Sequence, residues 1–305
     1  MVQKPIKVLI IGAGKIGLGL IMPVFKKAGY EIVVTDKSSE KLKALEAGIC
    51  QLNIAELATE EYGGIKAVSM ELAGPENPDI VITCVGVDNL PEVARSIKTS
   101  PWLSDKQIML TEDLVEPMNI KFKHQIPFVV DRLCSKYEIK PDVFFPIITV
   151  EPQIKISAVS HQFLWPLQIL TKDTSLSIDS TAVERIRLKK MFTINLARAI
   201  ISYKGFQKGF DLVEDAVKDQ EITELVNGAI FEIGSWIKFE PDTPTSVARY
   251  LISRFSQKLG HTTKSFIKGP PINNFYLKSA RDELLKNGFS CGIIKSIMNL
   301  QMKAR

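Results

Sequence analysis

Three polar residues, Lys190, Asn195 and Arg198, are spaced along a segment, 180–203, whose apolar residues recur at helical intervals. On a regular α-helix, Asn195 would lie roughly 140° and Arg198 roughly 80° around the axis from Lys190, which predicts one fan with Arg198 in the middle. A lysine shielded from water can accept and return a proton near neutral pH, and an amide can donate to an oxygen that gains negative charge. The spacing predicts acid–base chemistry at a carbon–oxygen bond, with an ordinary solvated helix face as the alternative.

A glycine-rich turn lies near the N-terminus, between a short apolar run at 7–11 and a segment with helical spacing at 16–28. In a dinucleotide-binding fold, such a turn brings backbone N–H groups and the positive end of a helix dipole to a pyrophosphate. Pro23 falls about two turns into the predicted helix and should kink it. The residues of the turn that we expect at the cofactor are Gly12, Gly14, Lys15, Ile16 and Gly17.

Asp36 follows the second apolar run, 31–35, about 20 residues after the last glycine of the turn. An acidic side chain at this position accepts hydrogen bonds from the adenosine ribose hydroxyls and repels a 2′-phosphate. We therefore expect NAD as the cofactor. Lys37 and Ser38 beside the carboxylate leave room for NADP as the second choice.

The first half of the chain alternates short β-branched runs with helical patterns. The strand-like runs are at 7–11, 31–35, 80–85, 108–110, 128–130 and 144–150. Runs this short and continuous suit strands buried on both faces of a parallel sheet, so the predicted fold class is α/β with a doubly wound Rossmann sheet. Ligands bind outside the carboxyl ends of such strands, and we expect Val85 and Gly86 to contact the cofactor there.

From about residue 176 the pattern becomes mostly helical. Segments with apolar residues at helical spacing cover 180–203, 221–239, 245–259, 275–286 and 290–302. We expect a dinucleotide-binding Rossmann domain at 1–165, followed by a mostly α-helical domain at 166–305 that carries the substrate and catalytic residues.

The composition is that of an ordinary globular protein. Of 305 residues, 45% are apolar, and the 39 basic residues outnumber the 34 acidic ones by a margin that is spread along the chain. We expect an anionic or polyhydroxylated small molecule as the partner, and neither nucleic acid nor a membrane. Four separated cysteines and three separated histidines predict no metal site and a cytoplasmic location. We expect a monomer or a homodimer.

Several motifs, in order along the chain, resemble those of the polyol-specific long-chain dehydrogenases, the family that includes the mannitol-1-phosphate 5-dehydrogenases. They are the glycine turn at 12–17, the loop at 84–86, Glu112-Asp113, Val130-Asp131-Arg132, Glu151, the stretch from Lys190 to Asn195, and Tyr203-Lys204-Gly205. The resemblance implies a Rossmann domain, a helical second domain, no metal, and NAD-linked interconversion of a polyol, or its phosphate, and the ketose. It also implies that Lys190 is the general acid and base, that Asn195 polarises the reacting oxygen, and that Glu112 belongs to the cofactor site.

Two positions depart from the family pattern. Arg198 replaces a histidine and cannot shuttle a proton, and Asp113 replaces an asparagine and offers a carboxylate in place of an amide donor. Both remain candidate catalytic residues. Three interpretations stay open: an Arg198–Asp113 salt bridge, a changed and acidic substrate held by Arg198, and a non-catalytic dinucleotide-binding protein. Further candidate contacts for an anion are Lys268, Lys278 and Arg281.

Overall fold

The computed structural model describes residues 5–54, 57–86, 88–103, 105–112, 122–126, 128–139, 145–151, 155–158, 175–176, 180–267 and 274–299. The chain divides into two compact units, residues 1–186 and 187–305. The expected boundary between residues 165 and 166 lies outside the described residues and stays a prediction.

Six strands of the first unit form one parallel sheet. The strands described in this unit are β1 (Lys7–Ile11), β2 (Glu31–Thr35), β3 (Cys50–Ile54), β4 (Ala58–Tyr62), β5 (Ile65–Ala67), β6 (Ile80–Thr83), β7 (Gln107–Leu110), β8 (Gln125–Ile126), β9 (Phe128–Asp131), β10 (Cys134–Ile139), β11 (Pro146–Val150), β12 (Lys155–Ala158) and β13 (Ser175–Leu176). The order β5-β2-β1-β6-β7-β8, with every pair parallel, is that of a doubly wound dinucleotide-binding sheet, whose order reverses between β1 and β6. The Rossmann prediction is confirmed.

The two faces of this sheet are both covered. Val8 and Ile10 of β1 pack into one apolar cluster, and Leu9 and Ile11 pack into a second. Because successive side chains of a strand point to opposite faces, both faces of β1 are buried. This burial explains why the strands are continuous apolar runs rather than alternating ones.

Two predicted strands belong to other sheets. β9 is antiparallel to β12 in a sheet of order β13-β12-β9, whereas β11 lies between β10 and β3 in a mixed sheet of order β10-β11-β3-β4. The prediction that their runs suit the parallel sheet is wrong, because a short buried run looks the same whichever sheet it joins. The β3–β4 hairpin, inserted between β2 and β5, contains too many polar residues to produce an apolar run.

The second unit is helical where the structure describes it. The α-helices of the two units are α1 (Met22–Lys27), α2 (Ser39–Ala44), α3 (Leu90–Thr99), α4 (Ser180–Lys190), α5 (Leu196–Gln207), α6 (Val213–Ala216), α7 (Gln220–Trp236), α8 (Pro244–Phe255), α9 (Phe275–Lys286) and α10 (Gly292–Met298). Each of the five segments predicted as helical in the second half overlaps at least one of them. Among the described residues, no helix has both the length and the apolar character that a membrane span requires.

Local capping explains where two of these helices begin. The Asp219 side chain accepts from the backbone N–H of Ile222 at the start of α7. At the start of α8, Thr243 forms a capping box with Ser246, and Pro244 occupies the first turn, where its missing N–H costs nothing.

Within the described ranges, two helices each contain one π-helical turn, which closes its hydrogen bonds over five residues instead of four. The first π turn, Gly17–Ile21, directly precedes α1. The second π turn, Met191–Asn195, joins α4 to α5. Such turns are rare and are found frequently at functional sites.

Candidate active site

Three glycines shape the turn after β1. Gly12 has a φ of 113°, and a Cβ there would lie 2.5 Å from the carbonyl oxygen of Cys84. A Cβ at Gly17 would lie 2.0 Å from the Gly12 carbonyl oxygen, so the helix packs directly on the turn. A Cβ at Gly14 would meet no described atom within 4 Å. The turn is therefore closed on its protein side and open at Gly14, where a phosphate can approach the backbone.

Asp36 connects the end of β2 to this turn. Its Oδ2 accepts from the Ala13 backbone N–H at 2.7 Å, and its Oδ1 accepts from the Ser38 backbone N–H at 2.9 Å. The Lys41 ammonium lies 3.2 Å from Oδ2. Asp36, which we expect to bind the ribose hydroxyls, thus also fixes the turn, and the Lys41 ammonium lies beside its negative charge.

A cleft of about 630 Å³ opens at the carboxyl edge of the parallel sheet. Gly14, Asp36 and Val85 all line it, so the structure brings together the turn, the end of β2 and the loop after β6. Lys15 and Ile16, also expected at the cofactor, are not among the lining residues. The cleft has the position and the lining that the adenosine half of a dinucleotide requires.

Glu112 supports the loop after β6 through hydrogen bonds to its backbone. Its buried carboxylate accepts from the Thr83 hydroxyl at 2.6 Å and from the backbone N–H groups of Val85 at 2.9 Å and Gly86 at 3.3 Å. Burial raises the pKa of the Glu112 carboxyl, and these hydrogen bonds oppose part of that rise. The structure therefore places Glu112 as a support of the loop. Its predicted contact with the cofactor stays a prediction.

The loop also contains Cys84, which the structure shows buried. Burial raises the pKa of its thiol well above the ordinary value, with the charge of Glu112 adding to the rise. A thiol in that state is a weak nucleophile, so Cys84 is a packing residue.

Arg132 and Glu151 support the helix that follows the glycine turn. The buried Arg132 guanidinium donates to the Gly19 carbonyl and to the Glu151 carbonyl, each at 2.8 Å. The Glu151 carboxylate accepts from the Leu133 backbone N–H at 2.6 Å. Gly19 lies four residues before Pro23, whose ring nitrogen has no hydrogen to donate to that carbonyl. Arg132 supplies the missing donor, and Pro23 lies directly after a π turn rather than inside a regular α-helix.

Lys190 and Asn195 lie at the two ends of the second π turn. Lys190 immediately precedes the turn, Asn195 is its last residue, and the Leu196 backbone N–H donates to the Met191 carbonyl five residues earlier. Both Lys190 and Asn195 are half-buried. The regular α-helix assumed from the sequence is interrupted here, so the separation of roughly 140° calculated for these side chains does not hold.

The π turn moves Lys190 and Asn195 toward one face. Where a helix closes over five residues, side chains five apart stack on successive turns, as side chains four apart do in an α-helix. Arg198 lies three residues farther on, within α5, and neighbours Asn195 on the same face. With the π turn, we expect the three side chains to cover a narrower arc of the helix than a regular α-helix would give.

Arg198 contacts two aromatic side chains. Its guanidinium carbon lies 4.5 Å from the centroid of the Phe266 ring, and its Nη2 lies 3.4 Å from His261 Nδ1. An arginine can only donate, so this contact requires an accepting Nδ1 and a neutral imidazole. From the sequence, His261 was expected to be isolated, because no local pattern relates it to Arg198, which is 63 positions away.

The Tyr203-Lys204-Gly205 motif has a packing role in the structure. The Tyr203 side chain is buried, and burial raises the pKa of its hydroxyl. A Cβ at Gly205 would lie 2.6 Å from the Ala216 Cβ and 3.0 Å from the Thr263 Cγ2, so glycine allows close contact between α5 and these neighbours.

Several candidates have no described site geometry. Asp113 and Lys268 lie outside the described residues, so the Arg198–Asp113 salt bridge stays a prediction. Lys278 is exposed on α9, and the Arg281 Nε donates to Asp282 at 2.7 Å. Within the described parts of the chain, no group of three or more His, Cys, Asp or Glu side chains has the proximity to hold a metal ion.

Comparison with known proteins matches each half of the chain to a family model of oxidoreductases. Residues 182–290 match the family model of the mannitol dehydrogenase C-terminal domain. This part of the chain is similar to the C-terminal domain of the mannitol dehydrogenases. Residues 7–109 match a second model, that of the coenzyme F420-dependent NADP oxidoreductases, which agrees with the dinucleotide-binding sheet.

Two of the curated relatives of the chain are named mannitol-1-phosphate 5-dehydrogenase. The mannitol-1-phosphate 5-dehydrogenase of Brevibacillus brevis is 23% identical over 96% of this chain and 83% of the relative. The enzyme of the same name from Caldanaerobacter subterraneus is 27% identical over 82% of this chain and 72% of the relative. Among solved structures, the ternary complex of Pseudomonas fluorescens mannitol 2-dehydrogenase with NAD and D-mannitol has a TM-score of 0.76, at 11% identity, over 96% of this chain and 77% of that one. This last similarity establishes the fold.

Proposed function

We propose that the chain is an NAD-dependent oxidoreductase that interconverts a polyol, or a polyol phosphate, and the corresponding ketose. The observation that carries the proposal is the pairing of Lys190 and Asn195 at the ends of one π turn, within a segment that matches the mannitol dehydrogenase C-terminal domain. We assign cofactor binding to the first unit and proton transfer to the second.

The residues of the first unit fit a dinucleotide. The open position at Gly14 and the backbone N–H groups of the turn suit a pyrophosphate, and Asp36 suits the ribose hydroxyls at the cleft. The loop at Val85 and Gly86, held by Glu112, would form a further part of the cofactor site. A bound nicotinamide cofactor supplies hydride exchange with the carbinol carbon of the substrate.

Lys190 and Asn195 supply the remaining chemistry. During oxidation, the Lys190 amine takes the proton from the reacting hydroxyl, and during reduction its ammonium returns it. The Asn195 amide donates to the same oxygen and stabilises the negative charge that develops there. Arg198 keeps its charge throughout and so takes no part in the proton transfer.

NAD is the cofactor that we assign, and NADP is the second choice. Asp36 disfavours a 2′-phosphate, while the Lys41 ammonium at 3.2 Å and the nearby Lys37 offset part of that repulsion. Comparing kcat/KM for NADH and NADPH tests the assignment. Equal values would show that Asp36 does not discriminate between the cofactors.

The decisive experiment is turnover. Purified protein is incubated with NADH and fructose 6-phosphate or fructose, and with NAD and mannitol 1-phosphate or mannitol, while NADH absorbance is followed. We expect turnover with at least one pair and a loss of about 10²- to 10⁴-fold in kcat for Lys190→Ala. The matched control is Lys218→Ala, which removes an exposed lysine of the same unit that pairs with Asp215.

Two outcomes would contradict the proposal. Near-normal turnover by Lys190→Ala would remove the assigned acid and base. Turnover by the wild type only with 2-keto or 2-hydroxy acids would favour the acidic-substrate interpretation of Arg198 instead.

A further inference from the structure

The second π turn needs a stabilising contact, because π-helical geometry is uncommon and a continuous α-helix is the usual alternative. A π turn holds one residue more than the α-helical turn that it replaces. If it moved or relaxed, the helix before it would rotate relative to the helix after it by about 100°, the angle of one residue. Lys190 would then leave the face of Asn195.

Thr193, in the middle of this turn, makes such a contact. Its hydroxyl donates to the Lys189 carbonyl at 2.6 Å, and its side chain is 4% exposed. A threonine hydroxyl that binds the carbonyl four residues earlier competes with the regular helical hydrogen bond and bends the helix. Here the carbonyl that it binds belongs to the residue directly before Lys190.

The neighbours of Thr193 are also fixed. Phe192 packs edge-on against Trp236 of α7, with ring centroids 5.1 Å apart. The Lys189 ammonium lies 3.4 Å from the Asp242 carboxylate. Lys189, in the last turn of α4, is therefore held through its side chain as well as through its backbone carbonyl. The Thr193 hydrogen bond thus connects two anchored segments on either side of Lys190.

We propose that Thr193 is a positioning residue for the reaction, which holds the π turn and thereby keeps Lys190 and Asn195 on one face. The inference rests on the proposed function, since it assigns to Thr193 the alignment of the acid–base pair. Thr193 itself points into the packed interior and does not contact the substrate.

Thr193→Val tests this role, because valine has nearly the shape of threonine but no hydroxyl. We expect kcat to fall on the order of 10- to 100-fold, with KM for NADH within about twofold of the wild type, because small misplacements of reacting groups cost this much. Thr193→Ser keeps the hydroxyl and should restore kcat to within about threefold. Amide hydrogen exchange should accelerate at 189–196 in the valine variant and not in α7.

The matched control is Thr223→Val in the same unit. The Thr223 hydroxyl also donates to backbone carbonyls, those of Val217 and Asp219 at 2.9 and 3.0 Å, but it lies at the start of α7. This variant should lose stability without losing kcat. Equal kcat for the wild type and Thr193→Val, or equal losses in Thr193→Val and Thr223→Val, would overturn the inference alone. A wild type without turnover on any polyol or ketose would overturn the proposed function and this inference with it.

Discussion

The two π turns in the described part of the chain are built differently. In the first, Gly17–Ile21, every residue is buried, and the guanidinium of Arg132, from the loop between β9 and β10, donates to one of its carbonyls. In the second, Met191–Asn195, three residues are buried and two are half-buried, and a hydroxyl within the turn binds the backbone. A backbone carbonyl of the first turn is bound from outside, whereas the carbonyl directly before Lys190 is bound by a side chain of the second turn itself.

This difference matches the part of each helix that the candidate site uses, which is the backbone in the first and side chains in the second. The helix after the glycine turn presents backbone, so its sequence is glycine and aliphatic residues that allow close packing on Gly12. The second turn presents the side chains of Lys190 and Asn195, so one face must stay accessible while the other packs. The second turn therefore combines distant contacts on its packed face with the local hydrogen bond of Thr193.

Gly17→Ala should have the largest effect on the first turn. The new Cβ would lie 2.0 Å from a backbone carbonyl oxygen that has no freedom to move aside. We expect a loss of about 3 kcal/mol or more in the free energy of unfolding, measured by urea denaturation without cofactor.

Gly14→Ala is the control, since its Cβ would meet no described atom within 4 Å. We expect its stability to stay within about 0.5 kcal/mol of the wild type, while the rise in melting temperature caused by NADH is lost. A normal NADH shift in Gly14→Ala would contradict the placement of the phosphates at this turn.

Arg132→Met tests the external support of the first turn. The variant removes the donor of the Gly19 carbonyl and of the Glu151 carbonyl, both in a buried setting. We expect a loss of about 2–3 kcal/mol in the free energy of unfolding, because unsatisfied buried groups are costly. Arg95→Met, which replaces an exposed arginine on α3, should change it by less than about 0.5 kcal/mol. Equal effects would mean that Arg132 is not the support of this helix.

The sequence was sufficient to predict the parallel sheet, because strands buried on both faces leave an unbroken apolar signal, as in β1 and β2. It was insufficient to place β9 and β11, since a buried run carries no information about its partner. The helices of the second unit were predicted because their apolar residues recur at helical spacing, and the capping at Thr243 and Pro244 determines where one of them begins.

For the site, the sequence drew attention to Lys190 and Asn195 but did not predict the helix geometry that relates them. Lys190 and Asn195 were assigned from their spacing, yet a π turn has no recognised sequence signal and the calculated angle assumed a regular helix. Pro23 was a usable signal, because a proline inside a helix leaves a carbonyl that some other donor must satisfy. Neither Arg132 nor His261 could be assigned to its partner, since both contacts join residues far apart in sequence.

Arg198, which follows the second π turn, contacts His261, and a double-mutant cycle measures how much this contact contributes to stability. The energetic coupling between Arg198→Met and His261→Ala is measured from the unfolding free energies of the two single variants and the double variant. We expect about 0.5–1 kcal/mol, because the guanidinium is half-buried and bonded to a neutral ring. A coupling below about 0.3 kcal/mol would show that the two residues act independently.

The smallest expected effect concerns the pH dependence of the first unit. Burial raises the pKa of Glu112 above its ordinary value of 4.5, so between these two pKa values the folded protein keeps a proton that the unfolded chain releases. The contribution of this group to stability is full below about pH 4.5 and is lost as the pH rises through the folded-state pKa. Glu112→Gln keeps the shape of the side chain and an oxygen that accepts from Val85, but it cannot release a proton.

The free energy of unfolding of Glu112→Gln, relative to the wild type, should therefore increase as the pH rises above about 4.5 and become constant above the folded-state pKa. Urea denaturation of both proteins over this range measures the difference, in which the titration of all other groups cancels. A difference that does not vary with pH would mean that Glu112 titrates alike in the folded and unfolded states. The hydrogen bonds from Thr83, Val85 and Gly86 would then offset the whole effect of burying the Glu112 carboxylate, and this group would give the first unit no pH-dependent stability.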